Sequence, residues 1–132
     1  MASTTEPSNE ELTFLMEAGF LYCDLRKYDE ARDIFKGVRA LAPASEVPEV
    51  ALGLIAFQEG NFESARRHYR RALELNPRCA WAYAHLGEVE LFQMNREQAR
   101  VHLKTAIDLD PRGDYGKLAR SLLDFADVVT FK

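Results

Sequence analysis

Apolar residues recur along this chain at intervals of three and four, in paired segments. Between Leu52 and Leu75, Leu52, Ile55 and Ala56 fall on one side of a first segment, and Phe62, Ala65, Tyr69, Ala72 and Leu73 on one side of a second. That periodicity predicts two amphipathic helices, because strand side chains would alternate instead. Between the segments Gly60 tolerates positive φ and Asn61 offers a capping side chain, so one helix is expected to end and the next to begin there. Asn95 with Gln98 repeats the start signal. The whole pattern is periodic: Gly19, Gly53 and Gly87 stand 34 residues apart, as do Ala31, Ala65 and Ala99, and Pro43, Pro77 and Pro111. Three fixed glycines would coincide by chance about 3 times in ten thousand. Phe35, Tyr69 and Leu103 agree in type at the same spacing, and so do Leu41, Leu75 and Leu109. A period of this length marks stacked supersecondary units. Three units follow, 12–45, 46–79 and 80–113, with each proline expected to stop a second helix. A glycine inside a helix costs about 1 kcal/mol relative to alanine. Helices packed too closely for a side chain are the expected compensation, with Ala31, Ala65 and Ala99 as the facing small surface.

After Pro111 a last helix is expected over 114–127, with Tyr115, Leu118, Leu122 and Phe125 apolar and Lys117, Arg120, Asp124 and Asp127 polar. It reads as a cap, since a stack needs an end that shows water a polar face. Residues 1–9 are polar and expected to be disordered, with Ser8 and Glu11 able to form a capping box for the first helix. One domain over 10–128 and a short tail over 129–132 complete the organisation. The arrangement resembles the tetratricopeptide repeat, carried by Leu52, Gly53, Gly60, Asn61, Phe62, Ala65, Tyr69, Ala72 and Pro77 of the second unit. The first unit departs at Ala18 and Val38, and the third has Met94 in place of the turn glycine. The resemblance implies an all-α, right-handed superhelical solenoid of three helix pairs closed by a C-terminal capping helix.

Composition narrows the chemistry. The 132 residues are 47% hydrophobic and 29% charged, enough apolar content for a core. A net charge of −4 makes a nucleic-acid backbone an unfavourable main partner. Cys23 and Cys79 lack metal-ligand spacing and are expected as reduced thiols. No apolar run is long enough to cross a membrane, and MASTTEPSNE has no basic or apolar leader region, so a cytoplasmic protein without membrane contact is expected. His68 and His102 occupy equivalent places in neighbouring units and read as structural. No nucleophile, metal or phosphate-loop motif is present, so neither enzymatic activity nor a cofactor is expected. Arg66, Arg67, Arg70 and Arg71, flanked by Glu63 and Glu74, read as a solvated, ion-paired convex face. The RGD at 112–114 follows from the repeat boundary.

The family resemblance implies that the first helix of each repeat lines a concave groove at its second, fifth, ninth and twelfth places. Those places hold Thr13, Met16, Phe20 and Cys23, then Val47, Val50, Leu54 and Phe57, then Trp81, Ala84, Glu88 and Leu91. Most are apolar, and a contiguous exposed apolar surface implies a partner or cover from the chain's own ends. The partner-binding set expected from this register is Met16, Phe20, Val47, Val50, Leu54, Phe57, Trp81, His85, Glu88 and Leu91. A branch of the family clamps acidic C-termini with Lys, Asn and Arg. Its five clamp places hold Met16, Phe20, Ala51, Trp81 and His85 here, and none matches. An apolar or amphipathic client segment is expected instead. Size, repeat number, acidity and groove character are similar to the chaperones of bacterial type III secretion. That similarity implies a cytosolic holding chaperone for a secretion substrate or needle subunit, with a small co-chaperone or a homodimer as a further possibility. The alternative is a scaffold that joins partners through its convex or loop surfaces, its groove closed by the apolar tail VVTFK at 128–132.

Overall fold

The computed structural model describes residues 7–128. Among them the chain forms seven helices and no strand: α1 Asn9–Asp24, α2 Tyr28–Leu41, α3 Val47–Gln58, α4 Phe62–Leu75, α5 Ala80–Phe92, α6 Arg96–Leu109 and α7 Asp114–Val128. The first six pair as the sequence predicts, two to each 34-residue unit. The tail at 129–132 and most of that at 1–9 lie outside the described residues. Ser8 caps α1, its Oγ accepting from the Glu11 backbone N–H at 3.1 Å.

Each pair is locked by one repeated contact. Gly19 faces Phe35, where an added Cβ would lie 2.6 Å from Cζ, and a Cβ at Gly53 or Gly87 would collide with Tyr69 or Leu103. The glycines therefore make room first for a large side chain of the paired helix, and at Gly87 the Ala99 carbonyl oxygen also lies 3.4 Å from the added Cβ. Phe35, Tyr69 and Leu103 are fully buried as a result. The turn inside each pair needs a left-handed residue, which Gly60 supplies at φ 80°, and Arg26 and Met94 adopt φ 60° and 64° at the equivalent places. Asn61 caps α4 by accepting from the Ser64 N–H at 3.4 Å. Asn95 does not cap α6; its Nδ2 donates to Glu90 Oε1 at 2.9 Å.

Successive pairs are joined by a second repeated device. Arg32, Arg66 and Arg100, 34 apart, reach Glu59, Gln93 and Asp127, also 34 apart, across the boundary to the next repeat. The middle clasp is the buried one. Arg66 Nη2 lies 2.7 Å from Gln93 Oε1 and 3.0 Å from Glu90 Oε1, with Nε 3.3 Å from Glu90 Oε2 and a further bond to Glu63. Arg66 is thus removed from the convex basic face expected of it, while Arg67, Arg70 and Arg71 remain exposed. His68 is occupied by Glu49, Nδ1 to Oε2 at 3.0 Å, and that buried carboxylate also meets Arg39 at 3.3 Å.

The odd-numbered helices approach in succession, α1 to α3, α3 to α5 and α5 to α7, whereas α2, α4 and α6 make no close backbone contact with one another among the described residues. A stack whose one layer touches and whose other layer splays is curved, with the touching layer inside. The concave surface therefore belongs to α1, α3, α5 and α7.

Candidate functional site

An aromatic row crosses this inner layer. Phe20 of α1 meets Phe35 edge-on, ring centroids 4.8 Å apart, and lies 6.1 Å from Trp81 of α5. Trp81 in turn stacks on Tyr115 of α7 at 5.7 Å, the planes 19° apart. Backbone contact is lacking between α1 and α5, so the Phe20–Trp81 pair reaches across α3. None of the three rings is buried. Phe20 also lines a hollow of about 350 Å³ with Cys23, Tyr28 and Leu54, rimmed by Asp24 and Arg26. Trp81 and Tyr115 line another of about 410 Å³ with Val47, rimmed by Glu46, Arg78 and Asp110. The surface is thus an aromatic ridge between two shallow hollows with apolar floors and charged rims of both signs.

The residues expected in the groove divide into groups. Phe20, Leu54, Trp81 and Val47 belong to the ridge and hollows. Met16 is half-buried against the core between α1, α2 and α3. Phe57 joins a separate aromatic cluster with Phe62 and Phe92, centroids 5.4 and 4.9 Å away, where α3 ends and α4 begins. His85 and Glu88 are half-buried and satisfy one another, Nδ1 to Oε1 at 3.0 Å, while the imidazole stacks on Tyr69 at 5.9 Å. Val50 and Leu91 are a correction: at 0% and 6% exposure they pack in the core and present nothing to a partner. The helical register that brings the second and ninth places to the surface turns the fifth place of α3 and the twelfth of α5 into the contact with neighbouring helices.

Titratable groups near the ridge are held in their neutral or paired states. Burial, reinforced by Asp24, pushes the Cys23 thiol up, and burial does the same to Cys79, so neither is poised as a thiolate. The Tyr115 hydroxyl is raised chiefly by burial, then by Cys79 and nearby carboxylates. No group of three His, Cys, Asp or Glu among the described residues is arranged to hold a metal ion.

Sequence reasoning missed one quarter of the surface. A fourth unit begun at 114 places Tyr115, Leu118, Leu122 and Phe125 at the second, fifth, ninth and twelfth places, the same offsets used for the first three. Reading this segment only as a cap hid that continuity. The structure displays it twice, in the Trp81–Tyr115 stack and in the Arg100–Asp127 clasp, which is the same bond that joins the earlier repeats.

Comparison with known proteins agrees with this architecture. Residues 53–94 match the family model of the TPR, or tetratricopeptide, repeat. No curated protein matches the chain by sequence. Among solved structures, the type III secretion translocator chaperone SycD of Yersinia enterocolitica is similar at a TM-score of 0.81 and 18% identity, covering 92% of each chain. PcrH of Pseudomonas aeruginosa gives 0.80 at 20% identity, over 97% of this chain and 100% of its own. The first TPR of Spaghetti (RPAP3), bound to an HSP90 peptide, gives 0.77 at 22% identity over 93% and 95%.

Proposed function

Because the chain folds as a stack of tetratricopeptide repeats, we propose that it is a protein-binding module whose inner surface holds an apolar segment of a client, as a cytoplasmic holding chaperone does. The observation that carries this reading is the partly exposed ridge of Phe20, Trp81 and Tyr115 between two apolar-floored hollows. Aromatic side chains offer large contact area at low entropic cost and anchor bound segments in such hollows. The clamp places carry Met16, Phe20, Ala51, Trp81 and His85 and no lysine or arginine, which favours an apolar segment over a charged terminus. One SycD structure holds a peptide of the translocator YopD, and that kind of occupant, a secretion substrate kept from premature assembly, suits the chemistry here.

The test is co-expression with clients from the native host. Leu54→Asp puts a charge into the hollow beside Phe20 and should lower client recovery at least tenfold (about 1.4 kcal/mol or more), with the helical circular dichroism signal unchanged. Full recovery by a folded Leu54→Asp variant would overturn the reading.

A further inference from the structure

The side of α1 turned away from α2 and α3 carries Phe14, Leu21 and, at the C-cap just past the helix, Leu25, which are 69%, 58% and 56% exposed. At 100° per residue these three fall within a narrow stripe along the helix. Beside it, about a sixth of a turn away, runs a second row of Glu10, Glu17 and Asp24, spaced by seven and all exposed. Glu11 flanks the stripe on its other side. None of these four carboxylates enters an ion pair among the described residues. The segment Asn9–Asp24 holds those four acids and no cation, while the rest of the chain holds 17 acidic residues to 17 basic, so the whole net charge of −4 resides on α1.

The end of a repeat stack ordinarily needs a polar outer face to remain soluble. At the other end α7 mixes exposed Lys117, Arg120, Asp124 and Asp127, charges of both signs, with exposed Phe125 and Val128. The α1 end differs in that its apolar stripe is fenced by charges of one sign alone. An antiparallel two-fold pairing of two copies through this stripe would set the acidic rows against each other, and a parallel one would set each row against Glu11, like-charge juxtapositions that cost several kcal/mol. An anionic lipid surface is repelled for the same reason.

We infer that the outer face of α1 is a second docking surface, separate from the concave one, and that it takes an amphipathic helix of another protein whose apolar stripe is flanked by lysine or arginine. Apolar seam and charged flanks are the two determinants by which paired helices choose partner and orientation. The flank charges contribute to encounter rate and discrimination, and the stripe of Phe14, Leu21 and Leu25 to affinity.

The test uses the full chain and two synthetic helical peptides with the same leucine stripe, one flanked by lysines and the other by glutamates. The lysine peptide is expected to bind at least tenfold tighter than its twin. Phe14→Ser with Leu21→Ser should weaken it at least tenfold, Glu10→Lys with Glu17→Lys and Asp24→Lys should reverse the preference, and Leu54→Asp should leave it unchanged. Binding indifferent to the Phe14 and Leu21 substitutions would mean nonspecific ionic attraction only and overturn the inference. So would concentration-dependent self-association of the parent chain that Leu21→Ser abolishes, because the face would then belong to a second copy.

Discussion

Glycine at the eighth place of each repeat is a steric requirement, and a pair of substitutions separates that from mere helix propensity. A Cβ at Gly53 would meet the ring of Tyr69, which is fully buried and has nowhere to swing. Overpacking of this kind costs about 1–3 kcal/mol and outweighs the roughly 1 kcal/mol of helix propensity that alanine brings. Gly53→Ala is therefore expected to lower the unfolding free energy. Gly37, in α2, has nothing within 4 Å of its added Cβ. Gly37→Ala should raise stability by about 1 kcal/mol, read from urea midpoints at constant slope. The left-handed turn places give the converse. Arg26 and Met94 adopt positive φ with exposed side chains, at a cost of about 1–2 kcal/mol each. Arg26→Gly or Met94→Gly should recover about 1 kcal/mol in the same measurement.

Among the helices, the clasps differ in worth because their burial differs. Arg100 with Asp127 is solvent-exposed, and breaking it should cost no more than about 1 kcal/mol. Arg66 and Glu90 are nearly buried and bonded through two atoms each. Removing one partner strands the other, so Arg66→Ala should cost about 3–5 kcal/mol. The α4–α5–α6 contact also sets the acid response. Burial would raise the Glu90 carboxyl, but hydrogen bonds from Arg66 and Asn95 prevail and hold it below its ordinary value of 4.5. Burial, helped by Arg70 and Arg66 and opposed by Glu90, lowers the His102 imidazole from 6.5. A depressed folded value means that the unfolded chain takes up the proton first. The stabilisation is complete above the unfolded value and is lost as pH falls through the folded one. Loss should therefore begin below 6.5 through His102 and continue below 4.5 through Glu90. Urea midpoints measured from about pH 7.5 downward should show both steps, and His102→Gln should remove the upper one while keeping most of the lower, to which the His102 charge adds only the smallest contribution.

For the molecule as a whole, curvature turns isolated side chains into a surface. Trp81 is the chain's single tryptophan and sits at the centre of the aromatic ridge. A client that lies along the ridge should exclude water from the indole and shift its emission to shorter wavelength. Tyr115→Ala should weaken that client by about 1–3 kcal/mol, since a stacked aromatic neighbour would be lost from the anchor. An unshifted Trp81 emission with a client demonstrably bound would place the contact elsewhere.

The 34-residue period was sufficient by itself to determine the helix pairs, their turns at Gly60 and Met94, and the alignment of Gly19, Gly53 and Gly87. Local periodicity and sterics act within one unit, so they are written in consecutive residues. The same period contained the arginines at 32, 66 and 100 and the start of a fourth unit at Asp114, both legible by offset once their roles are known. Only the tertiary structure decided that Gly53 answers the ring of Tyr69, and that Val50 and Leu91 are core while Leu54 opens to a hollow. It also decided that Phe20 and Trp81 meet across a helix that separates them. These outcomes depend on how far each helix is rotated and how tightly the inner layer curves. Both are set by the fit of side chains across repeats, between residues that no spacing along the chain relates.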